Sequence, residues 1–251
     1  MSTHDVLPGA EPFSHPGGPS GVLLLHGITS NPTTLNSIAT LAAEKGYSVE
    51  LPLLPGHGTS VEDLMTTTWS DWSETALEAY DELASRCDRV AIVGLSMGGT
   101  LTAFVAEMRD SVAGCVFINP LVKAPPAEIL EGLEALLDAG LETIDSIGSD
   151  IKKEGVAESS YAATPLAPLK TLFDGLVNVS ENLRLISAPS LLLSSREDHV
   201  ITWSGNGDDL VSKVSGPVER TWLEDSYHVA TLDNEQALVE SLTLDFLVRV
   251  L

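Results

Sequence analysis

The sequence predicts an α/β fold, with a mostly parallel central sheet flanked by helices. Two observations carry that expectation. Short apolar runs alternate with amphipathic stretches along most of the chain, the pattern of strands buried on both faces with helices between them. Hydrophobic residues make up 43% of the 251 residues against 20% charged, enough apolar material for a substantial core in one domain, so the chain folds in spite of a net charge of -23.

Taken in order, residues 22–25 form the first clear strand. Residues 32–45 then place Leu35, Ile38, Leu41 and Ala42 at helical spacing and stop at Gly46, a helix end that precedes a strand over 47–51. A second helix spans about 69–87, where Trp69 and Trp72 sit three apart, a spacing of ordinary packing rather than of a ligand platform. Residues 90–93 form a strand, 100–109 a helix and 112–118 another buried strand. From 121 to 185 the rhythm breaks, because roughly 65 residues separate two strands where a crossover needs far fewer. Such an insertion reads as a small helical lid, with an amphipathic helix over 127–147 and one or two shorter ones over 165–184. Strands return at 190–195 and 218–223, and a helix over 234–250 closes the chain.

Thirteen basic residues against 36 acidic ones leave no stretch able to neutralise a phosphate backbone, which excludes nucleic acid as a partner and disfavours anionic membrane surfaces. Cys87 and Cys115 have neither disulfide-framework nor metal-site spacing and read as reduced thiols. The first twenty residues are polar, without the apolar core of a signal peptide, and no later window is apolar for long enough to span a membrane. A cytoplasmic protein without stable membrane anchoring is expected, its contact with lipid aggregates transient at most.

After the strand 90–93 comes Gly94-Leu95-Ser96-Met97-Gly98-Gly99 and then a helix. A turn that lifts Ser96 onto the rim of the sheet needs small residues two before and two after it, and Gly94 and Gly98 meet that need. The same turn puts Ser96 at a helix start, where free backbone donors favour an oxyanion. A serine nucleophile needs a base, and in this architecture the partners follow in the order Ser, acid, His. Two histidines lie beyond Ser96. His199 directly follows Asp198 and is poorly placed to pair with it, whereas His228 lies in a loop after the last strand and is the expected base. Asp198, just past the strand 190–195, is the expected acid, with Glu197 and Asp225 as rivals. The step His26-Gly27-Ile28 after the first long strand is where a second backbone donor arises, so the amides of Ile28 and Met97 are expected to form an oxyanion hole. His26 reads as a brace for that loop, and His57, between Gly56 and Gly58, as part of a structural turn.

With LLLHGIT, GYSVELPLLPGHGTS, GLSMGG, SREDHV and SYHVATLD in place, the chain resembles, nearly end to end, the bacterial monoacylglycerol lipases and small bacterial carboxylesterases of the α/β-hydrolase superfamily. The resemblance implies the α/β-hydrolase fold, Ser96, Asp198 and His228 as a triad, and Ile28 and Met97 as oxyanion donors. In the insertion, IDSIGSDIK, Glu158, Tyr161 and Thr164-Pro165 are similar to the lid of the monoacylglycerol lipases. By position, Ile147 would lie over the bound substrate and Glu158 would accept hydrogen bonds from glycerol hydroxyls; the residue-level alternative is that Glu158 is a solvated charge. The expected activity is hydrolysis of monoacylglycerol through an acyl-serine intermediate, with a small-molecule ester or lipid substrate and neither metal nor organic cofactor. The nearest alternative is a broad carboxylesterase for short or medium acyl chains, followed by a thioesterase, an acyltransferase or a catalytically silent lipid-binding protein. A carboxylate-dependent dehalogenase is disfavoured because position 96 is serine.

Overall fold

A computed structural model of the chain describes residues 5–201, 203 and 205–251. In chain order the elements are β1 (Phe13–His15), β2 (Ser20–Leu25), α1 (Asn36–Glu44), β3 (Ser48–Leu51), α2 (Val61–Leu64), α3 (Trp69–Arg86), β4 (Arg89–Leu95), α4 (Met97–Met108) and β5 (Val112–Ile118). There follow α5 (Ala127–Asp138), β6 (Thr143–Asp145), β7 (Ala163–Pro165), α6 (Leu166–Asn182), β8 (Ser190–Ser195), α7 (Asn206–Lys213), β9 (Val218–Leu223) and α8 (Gln236–Val250).

Among the described residues, seven strands form the main sheet in the order β1-β3-β2-β4-β5-β8-β9. Every pairing is parallel except β1 with β3, an antiparallel edge whose three residues are too short to register in the sequence pattern. Strands β2, β4, β5 and β8 are buried along their apolar runs (GVLLL, VAIVGL, VFI, LLLSS) because these are covered on both faces. One core cluster lies under α3, α4 and α6 and includes Trp72, Tyr80 and Phe117; the other lies under α1 and α8 and includes Leu24, Ile38 and Phe246. From β2 the chain winds one way to β3, and from β4 it winds the other way to β5, so the loops after β2 and β4 part at the carboxyl ends of neighbouring strands. A crevice at such a switch point is where open α/β sheets place their sites.

The stretch between β5 and β8 differs from the all-helical expectation. The helix expected over 127–147 ends at Asp138. Gly140 adopts φ 81°, with its N–H on Leu137 O and the Leu141 N–H on Leu136 O, a Schellman stop that caps the last carbonyls. Leu141, Ile144 and Ile147 keep helical spacing past that stop, but Leu141 precedes a hairpin stem, β6 paired antiparallel with β7, Ile144 lies on it, and Ile147 is in the loop 146–162 that the stem closes. Residues 165–184 hold one long helix, α6, followed by a short 3-10 turn.

Candidate functional site

Ser96 stands at φ 58° and ψ -119°, a strained conformation imposed by the turn from β4 into α4. The surrounding glycines explain why the turn closes. A Cβ on Gly94 would lie 2.2 Å from Gly98 O, and one on Gly98 would lie 1.8 Å from Leu25 O. Ser96 donates its own N–H to Ile118 O at 3.1 Å, which ties the turn to β5. The Gly27 backbone passes beside the serine, where an added Cβ would sit 3.7 Å from Ser96 Oγ.

On the same rim, His228 Nδ1 bonds to Asp198 Oδ2 at 2.8 Å. The other carboxylate oxygen of Asp198 accepts the N–H groups of Val200 and Ile201, both at 3.0 Å, which fixes the carboxylate plane. Burial acts to lower the His228 pKa, but the Asp198 carboxylate, with Glu158 and Asp150, outweighs it and holds the imidazole above its usual value. Burial likewise acts to raise Asp198, and His228 and the two amides outweigh it and hold the acid below its usual range. The rivals lie elsewhere: Asp225 and Glu197 are exposed and share Lys152, at 3.1 and 3.8 Å. His199 pairs with Asp150 at 2.8 Å.

Ser96 and His228 line one cavity of ≈ 210 Å³. Ile28, in the turn after β2, lines it as well. Met97 does not: its side chain is buried in the core, and its amide is the first of α4, which has no intrahelical acceptor. Leu121, Leu169, Leu172, Phe173 and Trp203 give the cavity apolar walls, while Thr29, Ser30 and Glu158 give it a polar end. Glu158 is half-buried. Burial raises its pKa, partly offset by a hydrogen bond from Ser30 and by His228. Ile147 is on the rim, 60% exposed. The loop 146–162 therefore brings Ile147 and Glu158 to the chamber that holds Ser96 and His228.

The two histidines expected to be structural are buried. His26 Nδ1 bonds to Gly27 O at 3.0 Å and Nε2 accepts the Leu54 N–H at 3.2 Å, which braces the turn before Ile28. Burial, and for His26 the neighbouring His57, lowers their pKa values to about 3 for His26 and about 4 for His57. Trp72 packs edge-on against His57, and Trp69 against Phe104, as packing residues do.

Three polar residues that sequence reasoning passed over hold the histidine loop. Asn119, at φ 40° just after β5, donates to His228 O at 2.8 Å and to Ser195 Oγ at 2.9 Å, and it accepts the Ser195 N–H at 2.7 Å. Asp150 accepts the His228 N–H at 3.1 Å, and fully buried Asp233 accepts the Tyr227 N–H at 2.7 Å. The only local signal was an Asn-Pro step after an apolar strand.

A serine lifted on a strained strand-to-helix turn, facing an aspartate-paired histidine across one chamber, is a set able to carry nucleophilic acyl transfer. Residues 22–241 match the profile of the alpha/beta hydrolase family. The chain belongs to that family. Among its relatives, a thermostable monoacylglycerol lipase of Bacillus sp. (strain H-257) is 40% identical over 250 residues, 98% of this chain and 97% of the relative. A carboxylesterase of Bacillus subtilis (strain 168) is 27% identical over 96% of this hydrolase and 97% of its own length. A solved structure from work on LipS and LipT, two metagenome-derived lipolytic enzymes, superposes with a TM-score of 0.92 at 38% identity, covering 98% of this chain and all of that one. The monoacylglycerol lipase of Paleococcus ferrophilus, at 18% identity, shares the fold with a TM-score of 0.73.

Proposed function

We propose that this hydrolase cleaves carboxylic esters, monoacylglycerol above all, through an acyl-Ser96 intermediate. His228 takes the Ser96 hydroxyl proton as Oγ attacks the acyl carbonyl, and it then passes that proton to the glycerol oxygen as the ester bond breaks. Water, deprotonated by His228, then attacks the acyl-enzyme, and His228 returns that proton to Ser96 Oγ as the acyl–oxygen bond breaks and the fatty acid leaves. Asp198 holds the imidazole in the tautomer that leaves Nε2 free and stabilises its cation. The carbonyl oxygen, negative in the tetrahedral intermediates, is received by the amides of Ile28 and Met97.

The observation that carries this reading is the 2.8 Å pair of His228 and Asp198 on the rim of the chamber that contains Ser96. The specific preference for a glycerol head rests on Glu158, a half-buried carboxylate at the polar end of an otherwise apolar cavity. The acyl chain lies along Leu121, Leu169, Leu172 and Phe173, and Ile147 covers the mouth, so tail and head are read by different residues. No helix among the described residues is long and apolar enough to cross a membrane. Both thiols are unpaired, which fits a reducing cytoplasm.

Specificity constants of Glu158→Gln for 1-lauroylglycerol and for methyl laurate test the head-group assignment. A charge-assisted bond to a hydroxyl is worth about 1.5 to 3 kcal/mol, so the glycerol ester is expected to lose roughly tenfold or more while the methyl ester is spared. Equal losses would make Glu158 a support of the loop, and no loss at all would favour a general carboxylesterase.

A further inference from the structure

We propose that Asp150 is a positioning residue for the base: from the insertion it fixes the backbone of His228 and the loop that carries Asp198, so that the insertion completes the catalytic framework. This inference rests on the reading of His228 as the base.

Asp150 is buried, and its carboxylate gathers three donors from the two loops of the site. Oδ2 accepts the N–H of His228 and that of His199, both at 3.1 Å, and Oδ1 pairs with the His199 ring at 2.8 Å. The Asp150 carbonyl also accepts the Val229 N–H at 3.1 Å. Since His199 is the residue after Asp198, a single side chain ties the acid's neighbour to the base's own peptide. The return tie comes from the body of the protein, where Asp233 accepts the Lys152 and Lys153 amides at 2.8 Å each. At this point the insertion cannot lift away without parting the Asp150 carboxylate from all three of these donors and taking the Lys152 and Lys153 amides from Asp233, which is costly.

A carboxylate that only fastened the insertion would have no reason to act on the reaction. Another anchor on the same loop supplies the contrast: Tyr161 OH donates to Gly56 O at 2.9 Å and accepts the Thr59 N–H at 2.7 Å, away from the histidine loop. The charged groups facing His228 are Asp198 beyond β8 and Glu158 and Asp150 on the insertion loop. Removing the Asp150 charge takes away one of the influences that keep the imidazole basic.

The experiment measures kcat, KM and the pH profile of kcat/KM for Asp150→Ala, Asp150→Asn and Tyr161→Phe on 1-lauroylglycerol and methyl laurate, well below each variant's Tm. Asp150→Ala is expected to lower kcat on both esters by up to about 100-fold with KM little changed, because a misplaced base costs turnover rather than binding. Asp150→Asn, which retains an acceptor for the two amides, is expected to recover most of kcat and to move the acidic limb to lower pH. Tyr161→Phe is expected to lower Tm alone. A folded Asp150→Ala with normal kcat overturns the proposal, as does a loss that merely matches its unfolded fraction by active-site titration. If the alanine variant fails to fold, Asp150→Glu, which keeps the charge but displaces the carboxylate by one methylene, takes its place, and normal kcat in that variant overturns the proposal. Near-normal turnover by His228→Ala in the same assay would mark a failure of the underlying assignment of the base, separate from any result at Asp150.

Discussion

The serine turn and the histidine loop lie on one rim of one sheet, yet they are held in opposite ways. Ser96 is positioned by its sequence neighbours: a buried strand before it, a helix after it, and glycines at 94 and 98 whose missing side chains let backbone pass within contact. His228 is positioned by residues far along the chain, Asn119 after β5, Asp150 on the insertion and Asp198 beyond β8. Local geometry has a sequence signature, because spacing and residue size suffice to encode it. A loop held by hydrogen bonds from elsewhere has none, since any Asn or Asp at those positions reads as an ordinary polar residue.

The comparison is sharpened first by removing the groups themselves. Ser96→Ala or His228→Ala is expected to lower turnover of 1-lauroylglycerol by on the order of 10⁴-fold or more with the fold intact, as judged by steady-state kinetics and circular dichroism. Asp198→Asn is expected to cost about 10⁴-fold by favouring the wrong tautomer, with Asp225→Asn near wild type. Loss in Asp225→Asn with an active Asp198→Asn would transfer the role.

Next come the supports. Gly98→Ala directs a methyl at the Leu25 carbonyl, a backbone atom that no rotamer change can move, so a stability loss at or above the upper end of about 1 to 3 kcal/mol is expected in urea unfolding. Asn119→Ala leaves the carbonyl of His228 and the hydroxyl of Ser195 short of a donor. It is expected to cost about 1 to 3 kcal/mol and to lower kcat, whereas a variant that unfolds earlier but turns over normally would show that Asn119 serves the fold alone.

The same contrast governs what was legible in advance. Strands β2, β4, β5 and β8 were readable because their apolar runs are nearly continuous, and α1 because Gly46 stops the helix in a Schellman turn, with its N–H on Ala43 O and the Tyr47 N–H on Ala42 O. Gly140 is the same signal, passed over because Leu141, Ile144 and Ile147 carry the helical spacing beyond it. Two of them are apolar for a different reason: Ile144 and Ile147 line the cavity from a hairpin and its loop, so their spacing reflects a cavity wall rather than a helix face. Glu158 and Ile147 were legible only through family resemblance, and Asp150 and Asp233 not at all, because the partners that give them meaning are main-chain amides.

Two smaller effects concern protons. His228 is held above its usual value, so the acidic limb of kcat/KM is expected above pH 6.5, where protonation removes the base. A limb below that value would contradict the pairing with Asp198. His26 and His57 behave in the reverse sense, neutral when folded and free to take up a proton on unfolding. Their contribution to stability is complete above about pH 6.5 and falls as the pH drops toward 4 and then 3, by up to about 1.4 kcal/mol per unit for each histidine. His57→Gln is expected to flatten that slope between pH 6.5 and 4 in urea titrations, and an unchanged slope would show that the ring is not neutral in the fold.

The most direct test of the central claim is the site and rate of modification by a fluorophosphonate, read by mass spectrometry of the intact protein and its peptides. A single adduct on the peptide containing Ser96 is expected, absent in Ser96→Ala and formed far more slowly in His228→Ala and Asp198→Asn. An adduct on another residue, or ester hydrolysis that survives in Ser96→Ala, would contradict the account.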